Sequence, residues 1–310
     1  MKIIVMGYHN VGYACLQRLI EMGANIAAVV THADNPRENI WFKPVRDLAF
    51  ENYIPVYQPP DVNAPVMVEA VRHIAPDVIF SFYFRQMLGK DLLEIPRIGS
   101  FNLHGSLLPR YRGRCPVNWV LVHGEKETGI TLHRMEIKPD AGAIIAQRAV
   151  PIDFRDTALT LFGKMTVAAA ELIADSYPKM LKGDIRELPQ DKQQASYFGG
   201  RAAKDGLIDW SRSSIQIYNL IRAVTHPYPG AFTEAEARKL IIWWAEPDDN
   251  APTEGAKPGE VIAASAGEGV AVATGKGTLL LKKIQWEGEG ETDAGTPAGI
   301  SALAPGTVLG

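Results

Sequence analysis

The chain has 310 residues, 46% hydrophobic and 22% charged, with 32 basic against 35 acidic side chains and a net charge of -3. That length suffices for two domains with their own cores, and the charge balance excludes a global attraction to nucleic acid or anionic membrane, a local basic patch excepted. The two cysteines, Cys15 and Cys115, lack metal-type spacing. No apolar run reaches membrane-spanning length and no leader precedes the first strand, so the expectation is a soluble cytoplasmic enzyme without membrane insertion or metal.

The predicted elements alternate through the first half. Lys2 to Met6 reads as a central parallel strand, and Val11, Cys15, Leu16, Leu19 and Ile20 recur at helical spacing. A strand over Ile26–Val30, a helix including Val45–Phe50, a helix over Val66–Ile74 and a buried strand at Val78–Ser81 follow. This β-α-β-α-β order predicts a twisted parallel sheet covered on both faces. Ser100–Leu103 is a further strand, ending at the polar pair Asn102 and His104. Thr128–Met135 and Ala143–Val150 form a β-pair connected through Lys138–Gly142, and an amphipathic helix spans about Leu159–Leu181. From Lys182 to Lys204 the chain is polar and aperiodic, which reads as a linker. Beyond it come a short helix with Ile217, Leu220 and Ile221 on one face, then strands at Leu240–Trp244, Glu260–Ala263, Val270–Ala273 and Leu279–Ile284. Regular short strands predict a small barrel, with the segment from Gly288 as a mobile excursion or its last edge. The expected domains are a catalytic domain over 1–187, a linker over 188–204 and a barrel over 205–310.

The chemistry concentrates in Phe101-Asn102-Leu103-His104-Gly105-Ser106-Leu107-Leu108-Pro109 and in Asp140-Ala141-Gly142-Ala143-Ile144. An amide donor can stabilise an oxyanion, an imidazole can move a proton, and a carboxylate can orient that imidazole and raise its pKa. Together they suit attack on a carbonyl carbon. Singly, each has a plainer reading: a loop histidine, a strand-end amide, an Asx turn. Gly7-Tyr8-His9-Asn10-Val11-Gly12 departs from G-x-G-x-x-G, which argues against dinucleotide binding, although Tyr8 to Asn10 could border a substrate. Arg110-Tyr111-Arg112-Gly113-Arg114 suits a phosphorylated substrate or a carboxylated tail, or is a solvated loop. Phe82 to Leu88 could wall a flat heterocycle, as could ordinary core.

The N-x-H-x-S-L-L-P and D-x-G-x-I motifs resemble those of the folate-dependent formyltransferases. Asp205–Trp210, Arg222-Ala223, Pro227–Phe232, Pro258–Val261 and Pro305–Gly310 resemble the second domain of the methionyl-tRNA branch. The fold this implies is α/β, a Rossmann-like formyltransferase domain followed by a C-terminal OB-like β-barrel. Tyr8-His9, Thr31–Pro36, Phe80–Tyr83, Tyr111–Arg114, Asn118–Val122 and Thr131–Met135 match the branch acting on UDP-4-amino-4-deoxy-L-arabinose in lipid A modification. The resemblance implies His104 as proton donor and acceptor, Asn102 as transition-state stabiliser and Asp140 as the group raising the histidine pKa. It also implies contacts to 10-formyltetrahydrofolate, the formyl donor, from Gln86, Met87, Leu88, Arg114 and the run Glu136, Ile137, Lys138, Pro139, Asp140. Tyr8, His9, Tyr111, Arg112 and Arg201 are the candidates for the sugar nucleotide.

The leading expectation is therefore N-formylation of an amino-sugar nucleotide. Methionyl-tRNA formylation is the alternative, disfavoured because Asp34–Lys43 is short and mixed in charge. A binding module with an idle site and a glycinamide ribonucleotide transformylase fit less well. The sequence leaves homo-oligomerisation, the sugar and any fused decarboxylase domain open.

Overall fold

Ile3, Ile4, Val5 and Met6 expose no surface, as a strand buried on both faces of a sheet must. In the computed structural model, which describes residues 1–310 apart from Arg37, Glu236, Ala237 and Glu254, this strand is β1 (Lys2–Gly7). There follow α1 (His9–Glu21), β2 (Asn25–Val30), α2 (Val45–Glu51), β3 (Val56–Tyr57), α3 (Pro65–Ile74), β4 (Val78–Phe82), α4 (Lys90–Leu93) and β5 (Gly99–His104). After them come β6 (Arg112–Gly113), α5 (Pro116–Val122), β7 (Glu127–Arg134), β8 (Ile144–Pro151), α6 (Ala158–Leu181) and β9 (Tyr197–Phe198).

The main sheet has the order β3-β2-β1-β4-β5-β7-β8. The first five strands are parallel, whereas β7 is antiparallel to β5 and β8 to β7. The order reverses between β1 and β4, where doubly wound sheets open a crevice beyond the strand carboxyl ends. On one face Ile4 and Met6 pack with Val62, Met67, Val68, Val71, Leu88 and Leu92. Each fully buried large apolar side chain stabilises by about 1.5–3 kcal/mol, so this cluster outweighs the exposed ion pairs of the surface.

Two compact units emerge, both discontinuous in sequence: Met1–Pro116, Glu127–Ile152 and Phe162–Gly199 form one, Val117–Lys126, Asp153–Leu161 and Gly200–Gly310 the other. This differs from the expected division at 187 and 204. The polar stretch read as a linker is integral to the first unit up to Gly199. Leu188 bridges Ile144, Gln190 is buried, and β9 pairs with β6. Aperiodicity was misleading because this segment is fixed by single side chains and short pairings.

The second unit contains α7 (Ser214–Val224), β10 (Ala231–Ala235), β11 (Arg238–Asp248), β12 (Val261–Ser265), β13 (Gly269–Ala273), β14 (Thr278–Trp286), β15 (Thr292–Asp293) and α8 (Pro297–Ala302). Ser213 starts α7 with a capping box, its hydroxyl accepting from the Gln216 amide. The sheet is antiparallel, in the order β10-β11-β14-β13-β12 with β15 beside β14. The expected barrel is met only as far as this sheet, since among the described residues no strand pairing joins β10 to β12. The C-terminal segment is no loose excursion: the Gly306 and Leu309 amides donate to Val261 and Gly259 carbonyls, and the Gly310 amide to Glu234.

Candidate active site

Strand register assembles the site. Asn102 of β5 sits directly opposite His133 of β7, and His104 opposite Thr131. Successive side chains alternate between faces, so these four polar groups share one side while Leu103 and Leu132 point to the other. The connection after β7 brings Asp140 back to the same place. Its Oδ1 lies 3.5 Å from His104 Nδ1 and 3.6 Å from His133 Nε2, and its Oδ2 accepts the Gly113 amide at 2.9 Å. Asn102, His104 and Asp140 are thus brought together, around a histidine that motif reasoning missed. Its signal was available: Thr131 and His133 alternate with apolar residues in an otherwise buried strand.

Hydrogen-bond partners fix the tautomers. His104 Nε2 is 2.7 Å from the Tyr111 carbonyl, which can only accept, so Nε2 carries hydrogen and Nδ1 is left to take a proton. His133 Nδ1 likewise donates to the Arg134 carbonyl at 2.8 Å. Its Nε2 then accepts from Asn102 Nδ2 at 3.2 Å, which leaves Asn102 a second N–H for a ligand oxygen.

Burial pushes the His104 imidazole below its ordinary range, against the opposing pull of Asp140 and of the Tyr111 carbonyl. The expectation that Asp140 raises this pKa holds for its own contribution, but desolvation wins. For Asp140 the balance is reversed: burial acts to raise its pKa, yet a hydrogen bond from His133 when its Nε2 carries the proton, the charge of a protonated His104 and the Gly113 amide hold the carboxyl down to about 2. The site at neutral pH is a carboxylate beside a neutral imidazole.

Two loops make this geometry rigid. The 105–111 segment is pinned by Thr131, whose hydroxyl donates to the Ser106 carbonyl at 2.6 Å and accepts the Leu108 amide, while Gln147 Nε2 donates to the Leu108 carbonyl at 2.8 Å. In the Asp140 turn, Asp140 has φ 53°, and a Cβ on Gly142 would lie 2.1 Å from the Arg134 carbonyl oxygen. The D-x-G spacing therefore follows from contact between backbones. Gly142→Ala is expected to cost about 1–3 kcal/mol by overpacking, read as a lower urea midpoint; an unchanged midpoint would show that the turn yields freely.

The other candidates occupy varied settings. Leu88 is core, Met87 is exposed, and Gln86 holds the preceding loop through the Val62 amide and the Pro60 carbonyl. Arg114 and Glu136, Ile137 and Lys138 are exposed, and Pro139 is half-buried. Tyr8 is buried, donates to Asp34 at 3.0 Å and lies under the Arg85 guanidinium; burial and that hydrogen bond push its hydroxyl up to about 12. His9 is boxed by Trp41, Phe42 and Phe162, and burial, reinforced by Arg85, pushes it down to about 3. Tyr111 stacks on Phe198, and Arg112 is buried with Nε and Nη2 on Gln190. Arg201 belongs to the second unit, over the Trp119 ring, with Nη2 donating to the Asp205 carbonyl.

Among the described residues no group of His, Cys, Asp and Glu side chains could hold a metal, and no helix is long and apolar enough to cross a membrane.

Comparison with solved structures returns the same architecture. An N-formyltransferase from Helicobacter canadensis in complex with folinic acid and dTDP-3-aminofucose matches with TM-score 0.68 and 21% identity, over 91% of this chain and 98% of that one. HypX from Aquifex aeolicus, in complex with tetrahydrofolic acid, matches with TM-score 0.64 and 18% identity over 95% of this chain, which spans only 46% of HypX. Methionyl-tRNA formyltransferase from Clostridium thermocellum matches with TM-score 0.57 and 18% identity, over 81% of this chain and 95% of that one. At such identities the likeness is one of fold. The family model for formyl transferase matches residues 1–176 and that for the formyl transferase C-terminal domain matches 202–298. With its motifs, its sheet and more than half its length in agreement, this chain belongs to the formyl transferase family.

Proposed function

We propose that the protein transfers a formyl group from 10-formyltetrahydrofolate to the amine of a sugar nucleotide, UDP-4-amino-4-deoxy-L-arabinose being the specific acceptor, in a reducing cytoplasm. The observation that carries this reading is the Asp140 carboxylate set between two histidines, with Asn102 keeping one N–H unspent. The neighbours that hold folinic acid with a dTDP-amino sugar, and tetrahydrofolic acid, support the two ligand classes. We also read the second unit as an OB-like barrel, with Gly306–Gly310 hydrogen-bonded to residues at both sheet edges.

Exposed Met87 and Ile137 offer apolar faces suited to a folate ring, and exposed Arg114 a charge suited to a carboxylated tail. Bound there, the folate supplies the formyl group and departs as tetrahydrofolate. The chain's residues do the rest. Asn102 donates its unspent N–H to the formyl oxygen as it gains negative charge, a contribution of about 3 kcal/mol to the barrier. His104 Nδ1 takes the proton shed by the attacking nitrogen, and Asp140 stabilises the resulting imidazolium. The same proton then goes to the departing folate nitrogen as the old C–N bond breaks, so no metal or enzyme nucleophile is required.

The test is incubation with 10-formyltetrahydrofolate and a panel of UDP- and dTDP-aminosugars beside charged initiator tRNA, with products identified by mass spectrometry. Formylation of a sugar nucleotide is expected. Formylation of methionyl-tRNA alone, with binding that weakens steeply in salt, would reverse the acceptor assignment.

A further inference from the structure

We propose that Gln190 is a positioning residue for formyl transfer, and that the strap over residues 188–198 clamps His104 and Asp140 in their working geometry. This inference deepens the function proposed above and rests on it.

All four hydrogen-bonding positions of the Gln190 amide are used. Its Oε1 accepts from Arg112 Nε at 3.1 Å and Nη2 at 2.7 Å, and its Nε2 donates to the carbonyls of Asp140 at 2.9 Å and Gly142 at 2.7 Å. A flipped amide would set donor against donor and acceptor against acceptor, so its orientation is determined. One side chain thereby ties the turn carrying Asp140 to β6.

The rest of the strap grips the other end of the site. Ser196 Oγ accepts the Tyr111 amide at 2.9 Å, the Ser196 carbonyl accepts the Arg112 amide at 2.9 Å, and Phe198 stacks on the Tyr111 ring. The Tyr111 carbonyl is the acceptor for His104 Nε2. One segment therefore fixes both the backbone acceptor of the catalytic imidazole and the turn bearing its carboxylate.

Gln190 also governs a charge. Arg112 is only 7% exposed, and Gln190 gives its guanidinium a neutral partner. The titratable and charged groups facing His104 are Asp140 of the β7–β8 connection, His133 of β7 and Arg112 of β6. Without the Gln190 amide, the guanidinium, which already disfavours a protonated His104, loses these two hydrogen bonds, and the turn bearing Asp140 loses its tie to β6. A carboxylate held less firmly beside His104 stabilises its protonated form less.

The experiment compares wild type with Gln190→Met, which keeps the side-chain bulk, and Gln190→Ala. It combines steady-state kinetics with NMR titration of the His104 imidazole in isotope-labelled protein. The expected result is a kcat lower by about tenfold or more, with KM for both substrates within about threefold. The His104 midpoint should fall by about half a pH unit or more. An unmoved midpoint in the folded Gln190→Met protein, or a loss confined to KM, overturns the proposal. A wild type without formyl-transfer activity would instead refute the proposed function, and the titration would still decide whether the clamp exists.

Discussion

His104→Gln is expected to lower kcat for formyl transfer about a thousandfold, within the range of general acid–base catalysis, while the unfolding midpoint moves little. Glutamine keeps an N–H for the Tyr111 carbonyl, so the 105–111 segment retains its anchor, but no atom remains that can carry a proton. The pH profile supplies the sign. The His104 pKa is lowered by burial, so the imidazole is already neutral at pH 7 and kcat/KM should be flat there. Its acidic limb should lie below about 6.5, the ordinary histidine value. Protonation on that limb removes the base. Turnover of the variant within tenfold of wild type, with the acidic limb intact, would take His104 out of the mechanism.

Asp140→Asn is expected to reduce kcat about a hundred- to a thousandfold, because the imidazolium loses its counter-charge and the imidazole its orienting partner. Asp140 opposes the burial that depresses the His104 pKa, so its removal should move the acidic limb further down even as the plateau drops. A second effect concerns stability. The folded Asp140 pKa, at about 2, lies below the unfolded value of about 3.9, so its contribution is present above pH 4 and is lost as pH falls toward 2. The shift corresponds to roughly 2 kcal/mol at neutral pH. Wild type and variant should therefore differ most in urea midpoint at pH 7, by about half as much at pH 3, and converge only as pH falls below 2. An acidic limb that moves upward, or midpoints that differ equally at both pH values, would contradict the assigned role.

Much of this was legible in the sequence because local rules and tertiary structure agree. β1, β2 and β4 are apolar runs beside helices of clear periodicity and could be read directly, whereas the two-residue β3 and the single-turn α4 carry too short a pattern to be predicted. Asn102, His104 and Asp140 stood out because two motifs carry them. His133 is missed as a site residue, although it lies opposite Asn102, because the Thr131–Met135 run enters only as part of the resemblance, which assigns its histidine no role. The strap was read as a linker because Gln190 and Ser196 act through individual hydrogen bonds that leave no periodic trace. Arg112, a candidate for the sugar nucleotide, also engages Gln190, and nothing local announces that a distant glutamine will meet its guanidinium. Of the second unit's strands, β11 to β14 were predicted one by one while the edge strands β10 and β15 were not, and whether a sheet closes depends on such edges.

The pairing of β5 with β7 makes the site vulnerable in a particular way. Asn102 faces His133 and His104 faces Thr131 only in the observed alignment. Adding or deleting one residue within either strand would turn leucines inward to the reaction and send the polar groups to the far side. Such a change would erase function in a single step, whereas lengthening the outer loops leaves that alignment untouched. Evolution can therefore revise what this protein recognises far more freely than how it moves a proton.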